Sequence, residues 1–310
     1  MELVHGLHNL RGKHRGCVLT IGKFDGVHLG HQAVLSQLIE QARQRQLPAS
    51  VMVFEPQPEE VFFPTKAPAR LSTLRDKYTA LKAIGIDRLI CVKFNQAFAA
   101  QSPEHFVENL LVKDLGVEFL VVGDDFRFGK ARKGDFSMLT EAGKTHGFNV
   151  VNTASFRLKD SRISSTAIRE ALESGEFDRA AQMMGAPFAI SGKVIHGEKR
   201  GRTIGFPTAN VLLKRLHTPL SGVFAVRAKV NSEIVGGVAN IGHRPTVNGT
   251  RSQLEVHLFD FQKDLYGQTI SVVPTAKLRE EQKFDSFDIL KQQIVDDAKQ
   301  ARLALQSTAE

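Results

Sequence analysis

Two histidines three residues apart, His28 and His31, close the stretch TIGKFDGVHLGH at residues 20–31. The run before it, Cys17–Gly22 (CVLTIG), suits a buried parallel strand, and the run after it sets Val34, Leu35, Leu38, Ile39 and Ala42 at helical spacing. His28, Gly30 and His31 therefore fall where a strand turns into a helix N-terminus, whose free N–H groups and dipole favour an anion. Imidazole donors in that place can follow phosphate charge into a transition state, and Gly30 leaves room for a nucleotide to approach the backbone. The same pair also suits a polar helix start or a metal pair, but no further Cys or carboxylate cluster stands nearby to complete a zinc site.

HxGH after a strand resembles the signature of the HIGH-type nucleotidyltransferases, which attack the α-phosphate of ATP and expel pyrophosphate. Gly22 and Phe24 belong to the same turn. A second candidate loop is ISSTAIREAL (Ile163–Leu172), where Ser164, Ser165 and Thr166 offer hydroxyls at a helix start and Arg169 a guanidinium one turn on; such clusters also serve as plain N-caps. The loop GDDFRFGKARKGDF follows an apolar run: Asp125 can recognise adenosine or a hydroxyl, and Arg127, Lys130, Arg132 and Lys133 can hold phosphates or form a solvated basic loop. Gly143, Lys144 and Thr145 spell GKT, but Met138 stands where a P-loop needs its first glycine.

The C-terminal half carries GRTIGFPTAN (Gly201–Asn210). Gly201, Arg202, Gly205 and Pro207 suit a loop that curls around phosphates, and Thr208 and Asn210 bring a hydroxyl and a carbonyl to Mg²⁺. In LEVHLFDF (Leu254–Phe261), alternation puts Glu255 and His257 on one strand face. A carboxylate on a rigid strand beside a phosphate loop is a candidate general base for a hydroxyl nucleophile, or an ordinary exposed strand residue.

Strand and helix alternate from residue 17 to residue 151, with strands expected at Cys17–Ile21, Ser50–Phe54, Arg88–Lys93, Phe119–Val122 and Phe148–Val151. Helical patterns lie between them at Gly30–Gln46, Thr73–Ile84, Pro103–Leu115 and Asp135–His146. This predicts a parallel sheet covered on both faces, with ligands beyond the carboxyl ends of its strands. Two short helices follow, starting at Ser164 and near Glu176, and Ala186-Pro187 ends the pattern, which places a domain boundary at residues 184–187, with domains 1–185 and 186–310. Short β-like runs then predict a small antiparallel barrel or sandwich, closed by a docked helix with Phe287, Leu290, Ile294 and Ala298 on one face.

A chain of 310 residues with 42% hydrophobic and 24% charged residues reads as a two-domain globular protein. It has no run of 18 apolar residues, and MELVHGLHNLRGKHRG shows neither an h-region nor a cleavage site, so a cytoplasmic protein without membrane partners is expected. Cys17 and Cys91 fall in apolar runs and read as reduced core residues. The net charge of +8 is scattered, with no basic block and no RNP-like or helix-turn-helix pattern; binding small polyphosphates explains it without nucleic acid.

Taken in order, TIGKFDGVHLGHQ, VFEPQP, PARLSTL, VVGDDFRFGKARKGD and ISSTAIR, then GRTIGFPTAN, SGVFAV, ANIGHRPTV, LEVHLFDFQKDLYG and LREEQKFDSFD, resemble the bacterial bifunctional riboflavin kinase/FMN adenylyltransferase (FAD synthetase) family over nearly the whole chain. The resemblance implies an α/β plus β architecture: a Rossmann-like HIGH-type nucleotidyltransferase domain, then a small antiparallel β-barrel with a terminal helix. It implies phosphorylation of riboflavin by ATP to FMN in the C-terminal domain, and transfer of AMP from a second ATP to FMN in the N-terminal domain, giving FAD and pyrophosphate. Thr208 and Asn210 would sit around Mg·ATP, Glu255 would be the kinase base and Arg279 would lie by the flavin. His28 and His31 would stabilise charge on the transferring phosphate, and Ser164, Ser165, Thr166 and Arg169 would form the second phosphate loop. The chain departs from the family pattern at Gln57 (EPQP for EPHP) and at Ala131, where a glycine is common; Asp125 stands where some members carry Asn. Two other readings are a single working site beside a flavin-binding or regulatory domain, and a basic nucleic-acid-binding protein. Intact motifs in both halves count against the first, and the lack of an anticodon-type helical domain and of a basic block against the second.

Overall fold

Short apolar runs joined by amphipathic helices build a parallel sheet in the first half of the chain. The computed structural model describes all residues except 124, 154–156, 159–160, 198–204, 214, 247–248 and 308–310, and only the backbone of 157–158, 161–162, 243–246 and 249–251. The chain divides into two units, Met1–Pro68 with Ser72–Ser164, and Ala69–Leu71 with Ser165–Glu310.

In the first unit, β1 (Glu2–His5), β2 (Cys17–Ile21), β3 (Ala49–Glu55), β4 (Arg88–Lys93), β5 (Val117–Gly123) and β6 (Asn149–Thr153) form a six-stranded parallel sheet ordered β1-β4-β3-β2-β5-β6. The helices are α1 (Leu29–Arg45), α2 (Pro58–Phe62), α3 (Leu74–Ile84), α4 (Gln96–Ala99), α5 (Pro103–His105) and α6 (Phe136–His146). A two-residue hairpin, β7 (Arg157–Leu158) and β8 (Ser161–Arg162), precedes the end of the unit. β2 is buried on both faces: Val18 joins Leu35 and Leu38 of α1 in one apolar layer, and Leu19 and Ile21 join Leu111 and Leu139 in the other. Full burial of Leu35 and Leu38, both 0% exposed, contributes about 1.5–3 kcal/mol each. Polar N-caps fix the helix starts, with Thr73 and Asp76 forming a capping box on α3 and Asp135 capping α6.

The sheet order reverses at β2, which pairs β3 on one side and β5 on the other. The carboxyl ends of β2 and β5 flank this switch point, where open parallel sheets bind ligands. Both loops singled out from the sequence, residues 22–28 and 123–134, leave these two strands.

Two differences from the expected elements have physical causes. β1 was not anticipated, because only Val4 of ELVH is buried and the run shows no alternation; it exists by pairing with β4. Its Glu2 carboxylate takes Lys13 at 2.7 Å and His14 at 3.1 Å, and those hydrogen bonds lower its pKa to about 2. The helix expected over Pro103–Leu115 is α5 followed by a π-helix, Phe106–Asp114. Phe106, Val107, Leu110 and Leu111 are buried along it, so its apolar stripe is of the kind that an α-helix would also show.

The second unit opens with α7 (Ser165–Glu173) and α8 (Phe177–Met184), which pack within it: the Phe177 ring stands edge-on to Phe224 at 6.0 Å, and Lys277 Nζ donates to the Glu173 carbonyl at 3.4 Å. Strands β9 (Ile190–Ile195), β10 (Ala209–Leu212), β11 (Gly222–Val230), β12 (Glu233–Thr246), β13 (Gly249–Leu258) and β14 (Thr269–Arg279) close an antiparallel barrel in the order β10-β13-β12-β11-β14-β9. β10 lies in what reads as a loop exit, and it is the strand that joins β9 to β13. The terminal helix α9 (Phe287–Ser307) sets Ala298 and Ala301 against Val223, Ala225, Val238 and Phe259. Phe287, expected on the packed face, is 56% exposed, because it opens the helix more than two turns before the buried stripe of Asp297, Ala298 and Ala301.

Candidate active sites

The turn between β2 and α1 is wound tightly. Phe24 (φ 46°), Gly26 (φ 86°) and Val27 (φ 41°) all have left-handed backbones, and non-glycine residues there cost about 1–3 kcal/mol each. A buried network holds it. Asp25, 1% exposed, accepts from the Ser72 N–H at 3.0 Å and the Ser72 hydroxyl at 3.1 Å, and Ser72 Oγ accepts the Gly26 N–H at 2.9 Å. Gly22 donates its N–H to the Met52 carbonyl at 3.1 Å. Asp25 and Ser72 were not singled out from the sequence; an acid inside the apolar run FDGV was the available signal.

This strained turn delivers His28 as the N-cap of α1, its Nδ1 accepting the His31 N–H at 3.3 Å. The two imidazoles stack with centroids 3.7 Å apart and planes at 17°, and Phe24 tilts against His31 at 5.0 Å. His31 Nδ1 is buried and makes no hydrogen bond among the described residues. Burial first, then the charges of His28 and of fully buried Lys77, hold His31 well below the usual imidazole range, so the ring is neutral at pH 7. A Cβ on Gly30 would stand 3.2 Å from the His28 ring and 3.5 Å from the Ile163 carbonyl, which places the residue before Ser164 beside the histidine turn.

Ser164 ends the first unit, while Ser165, Thr166 and Arg169 begin α7 in the second, where Arg169 Nε donates to the Ala69 carbonyl. Asp125 and Arg127 are exposed beyond β5, with Arg127 Nη1 on the Phe126 carbonyl at 2.9 Å. Ala131 lies left-handed (φ 56°, ψ 24°), which explains why a glycine suits that position. Ala131→Gly is expected to stabilise the protein by about 0.5–1 kcal/mol, read as a raised denaturant midpoint of the transition that reports the first unit; an unchanged or lowered midpoint contradicts it.

A feature missed from sequence lies at the same end of the sheet. Phe54, Phe94, Phe98, Phe106, Phe128 and Phe126 form a chain of ring contacts with centroids 5.1–6.4 Å apart. Phe62 joins it against Phe94 at 5.7 Å and is 44% exposed. Phe54 lies on β3, Phe62 on α2, Phe94 in the loop after β4, Phe98 on α4, Phe106 on the π-helix and Phe126 and Phe128 in the loop after β5, so no single local pattern joins them.

In the barrel, β10 and β13 pair with Asn210 directly opposite Glu255. Leu254, Val256 and Leu258 are buried, while Glu255 and His257 share the other, partly covered face, as their alternation predicted, and Gln253 joins them there. Gln253 Nε2 donates to Asn210 Oδ1 at 2.5 Å and to Glu255 Oε1 at 3.0 Å. His257 Nδ1 donates to the Pro207 carbonyl at 2.9 Å and so pins the exit of the glycine-rich loop. Thr208 and Pro207 border an open cleft of about 630 Å³ with Val256, Leu258, Phe261 and Tyr266. Gly205 has φ 83° with open space around its Cα; Gly201 and Arg202 lie outside the described residues. Arg279 grips Asp297 with two hydrogen bonds of 2.8 and 2.7 Å and lies 5.6 Å from the Phe284 ring centre.

One unit is thus a parallel sheet with a histidine turn at its switch point, and the other a closed barrel in which Glu255 stands opposite Asn210. Residues 10–167 match the FAD synthetase family and residues 184–305 the riboflavin kinase family. The chain is 53% identical to the bifunctional riboflavin kinase/FMN adenylyltransferase of Escherichia coli strain K12, covering 97% of both proteins. It is 51% identical to that of Haemophilus influenzae, covering 97% of this chain and 98% of that protein. A crystal structure described as a macrolide-efflux protein from Streptococcus pneumoniae is similar with TM-score 0.76 and 30% identity, covering 97% of this chain and 98% of that one. The chain belongs to the bifunctional riboflavin kinase/FMN adenylyltransferase family, with its FAD synthetase part N-terminal and its riboflavin kinase part C-terminal. No described helix is long and apolar enough to cross a membrane.

Proposed function

We propose that the chain makes FAD from riboflavin in two steps, each with its own residues. In the kinase, with a domain boundary at residues 184–187, the riboflavin 5′-hydroxyl attacks the γ-phosphorus of ATP; the P–O bond to ADP breaks and Glu255 takes the hydroxyl proton. Thr208 and Asn210 offer uncharged oxygen donors of the kind Mg²⁺ accepts, and Asn210 Oδ1 keeps a lone pair beside the one that Gln253 uses. Mg²⁺ held there would neutralise charge on the ATP phosphates. Gly201, Arg202, Gly205 and Pro207 form the phosphate loop, and Arg279 with Phe284 offers the flavin a planar surface.

In the adenylyltransferase, a phosphate oxygen of FMN attacks the α-phosphorus of a second ATP, and the bond to pyrophosphate breaks. The nucleophile is already ionised, so the protein need only orient it and stabilise charge. His28 and His31 donate to that phosphate, with Lys77 adding positive charge nearby. Gly22, Phe24 and Gly30 shape the turn, Asp125 and Arg127 hold the nucleotide, and Ser164, Ser165, Thr166 and Arg169 supply the second phosphate loop. The phenylalanine chain with exposed Phe62 offers the isoalloxazine ring an apolar seat at the carboxyl ends of the strands.

The observation that carries this reading is that each unit holds its own candidate transfer pair, the stacked His28 and His31 in one and Asn210 opposite Glu255 in the other. Purified protein with riboflavin, ATP and Mg²⁺, followed by chromatography, is expected to form FMN first and then FAD and pyrophosphate. FMN without FAD, or no flavin nucleotide, contradicts the two-step reading. A cytoplasmic location, with these small molecules as partners and no role for nucleic acid, is part of the same proposal.

A further inference from the structure

We propose that Gln253 is a positioning residue for riboflavin phosphorylation, its single amide holding Glu255 and Asn210 in one geometry. This inference rests on reading Glu255 as the base. Gln253 and Glu255 are two apart on β13 and share a face, and Asn210 is the cross-strand partner of Glu255 on β10. The Gln253 amide nitrogen has two hydrogens and spends one on each neighbour, at 2.5 Å to Asn210 Oδ1 and 3.0 Å to Glu255 Oε1. Asn210, 8% exposed, is enclosed from the other side by Gly197: a Cβ there would fall 2.3 Å from Asn210 Nδ2. The Asn210 amide is thus fixed between a donor and a bare backbone, and the Glu255 carboxylate is tied to it through one side chain.

The chemistry of the bridge fits its task. A base must present its carboxylate in a fixed direction, and the hydrogen bond from Gln253 to Oε1 orients it. A neutral amide orients the carboxylate without the full charge of a lysine, which would form an ion pair and weaken it as a base. Fixing Asn210 and Glu255 together also fixes the distance between the phosphate side of the site and the proton acceptor. Catalysis is sensitive to that distance, since a misplacement of about 1 Å can cost about a hundredfold.

The test uses the full-length protein carrying Gln253→Met, which keeps the side chain's length and removes both donors. Riboflavin phosphorylation is expected to lose about ten- to a hundredfold in kcat, with KM for riboflavin and ATP within about threefold, and adenylylation of supplied FMN is expected to stay at the wild-type rate. A residue that only fills space would tolerate the methionine. The double variant Gln253→Met/Glu255→Gln is expected to be slowed by clearly less than the product of the two single losses, because part of what Gln253 does passes through Glu255. Gln253→Thr, a strand former, repeats the series if methionine lowers the melting temperature of the kinase unit. Wild-type kcat in a folded Gln253 variant while Glu255→Gln is inactive overturns the positioning role alone. So does a double variant slowed by the product of the two single losses. An active Glu255→Gln overturns the base assignment, and the inference falls with it.

Discussion

His28→Ala and His31→Ala are each expected to stop FAD formation and leave FMN formation unchanged. The two rings are stacked in the first unit, and the kinase set lies in the second, so nothing in riboflavin phosphorylation depends on them. Losing one donor to a transition-state phosphate costs about 2.7–4 kcal/mol, which is a drop of about a hundred- to a thousandfold in adenylylation. The two variants should differ in detail. His28 is also the N-cap of α1, so His28→Ala removes an acceptor from the His31 N–H and should lower stability by about 1 kcal/mol as well. His31 carries a buried nitrogen with no hydrogen-bond partner among the described residues, so removing its ring relieves an unsatisfied group. His31→Ala should therefore leave the melting temperature nearly unchanged while rate is lost. The measurement is FMN and FAD production side by side, with a thermal melt of each variant. Near-normal FAD synthesis in both would overturn the assignment of the turn.

Much of this first site was legible because it is local. A buried strand, a glycine-rich turn and an amphipathic helix follow each other in sequence, and the period of the apolar residues changes at the turn. What supports the turn was not legible. Ser72 lies 46 residues from Gly26, and only the fold shows that it bonds both Gly26 and Asp25. The phenylalanine chain is hidden for the same reason, since its rings come from β3 and from the segments that follow β4 and β5, which the sheet order joins.

The barrel shows the reverse balance. Alternation in LEVHLFDF was enough to place Glu255 and His257 on one face, because a strand's period of two leaves little choice. Register was not available, so neither the Asn210–Glu255 pairing nor the Gln253 bridge could be read before β10 was seen to close the barrel. β1 escaped because a short edge strand with one buried side chain leaves almost no periodic signal.

Glu255→Gln is expected to remove riboflavin kinase activity and spare adenylylation of supplied FMN. A carboxylate beside the 5′-hydroxyl can take its proton as the γ-phosphate transfers, and an amide cannot. The strand fixes the side chain's direction, and the neighbouring Gln253 fixes the carboxylate, so the substituted amide occupies nearly the same space. General-base help is worth about a hundred- to ten-thousandfold, and the loss should fall in kcat rather than in KM for riboflavin, because the charge acts at the hydroxyl and not on the ring. The variant should fold normally, since Glu255 lies on the partly covered outer face and not among Leu254, Val256 and Leu258, all buried. Riboflavin phosphorylation and FMN adenylylation measured on one preparation give the answer. If kinase turnover stays within a few-fold of wild type, Glu255 is not the base, and the proton must leave through water or through the phosphate itself.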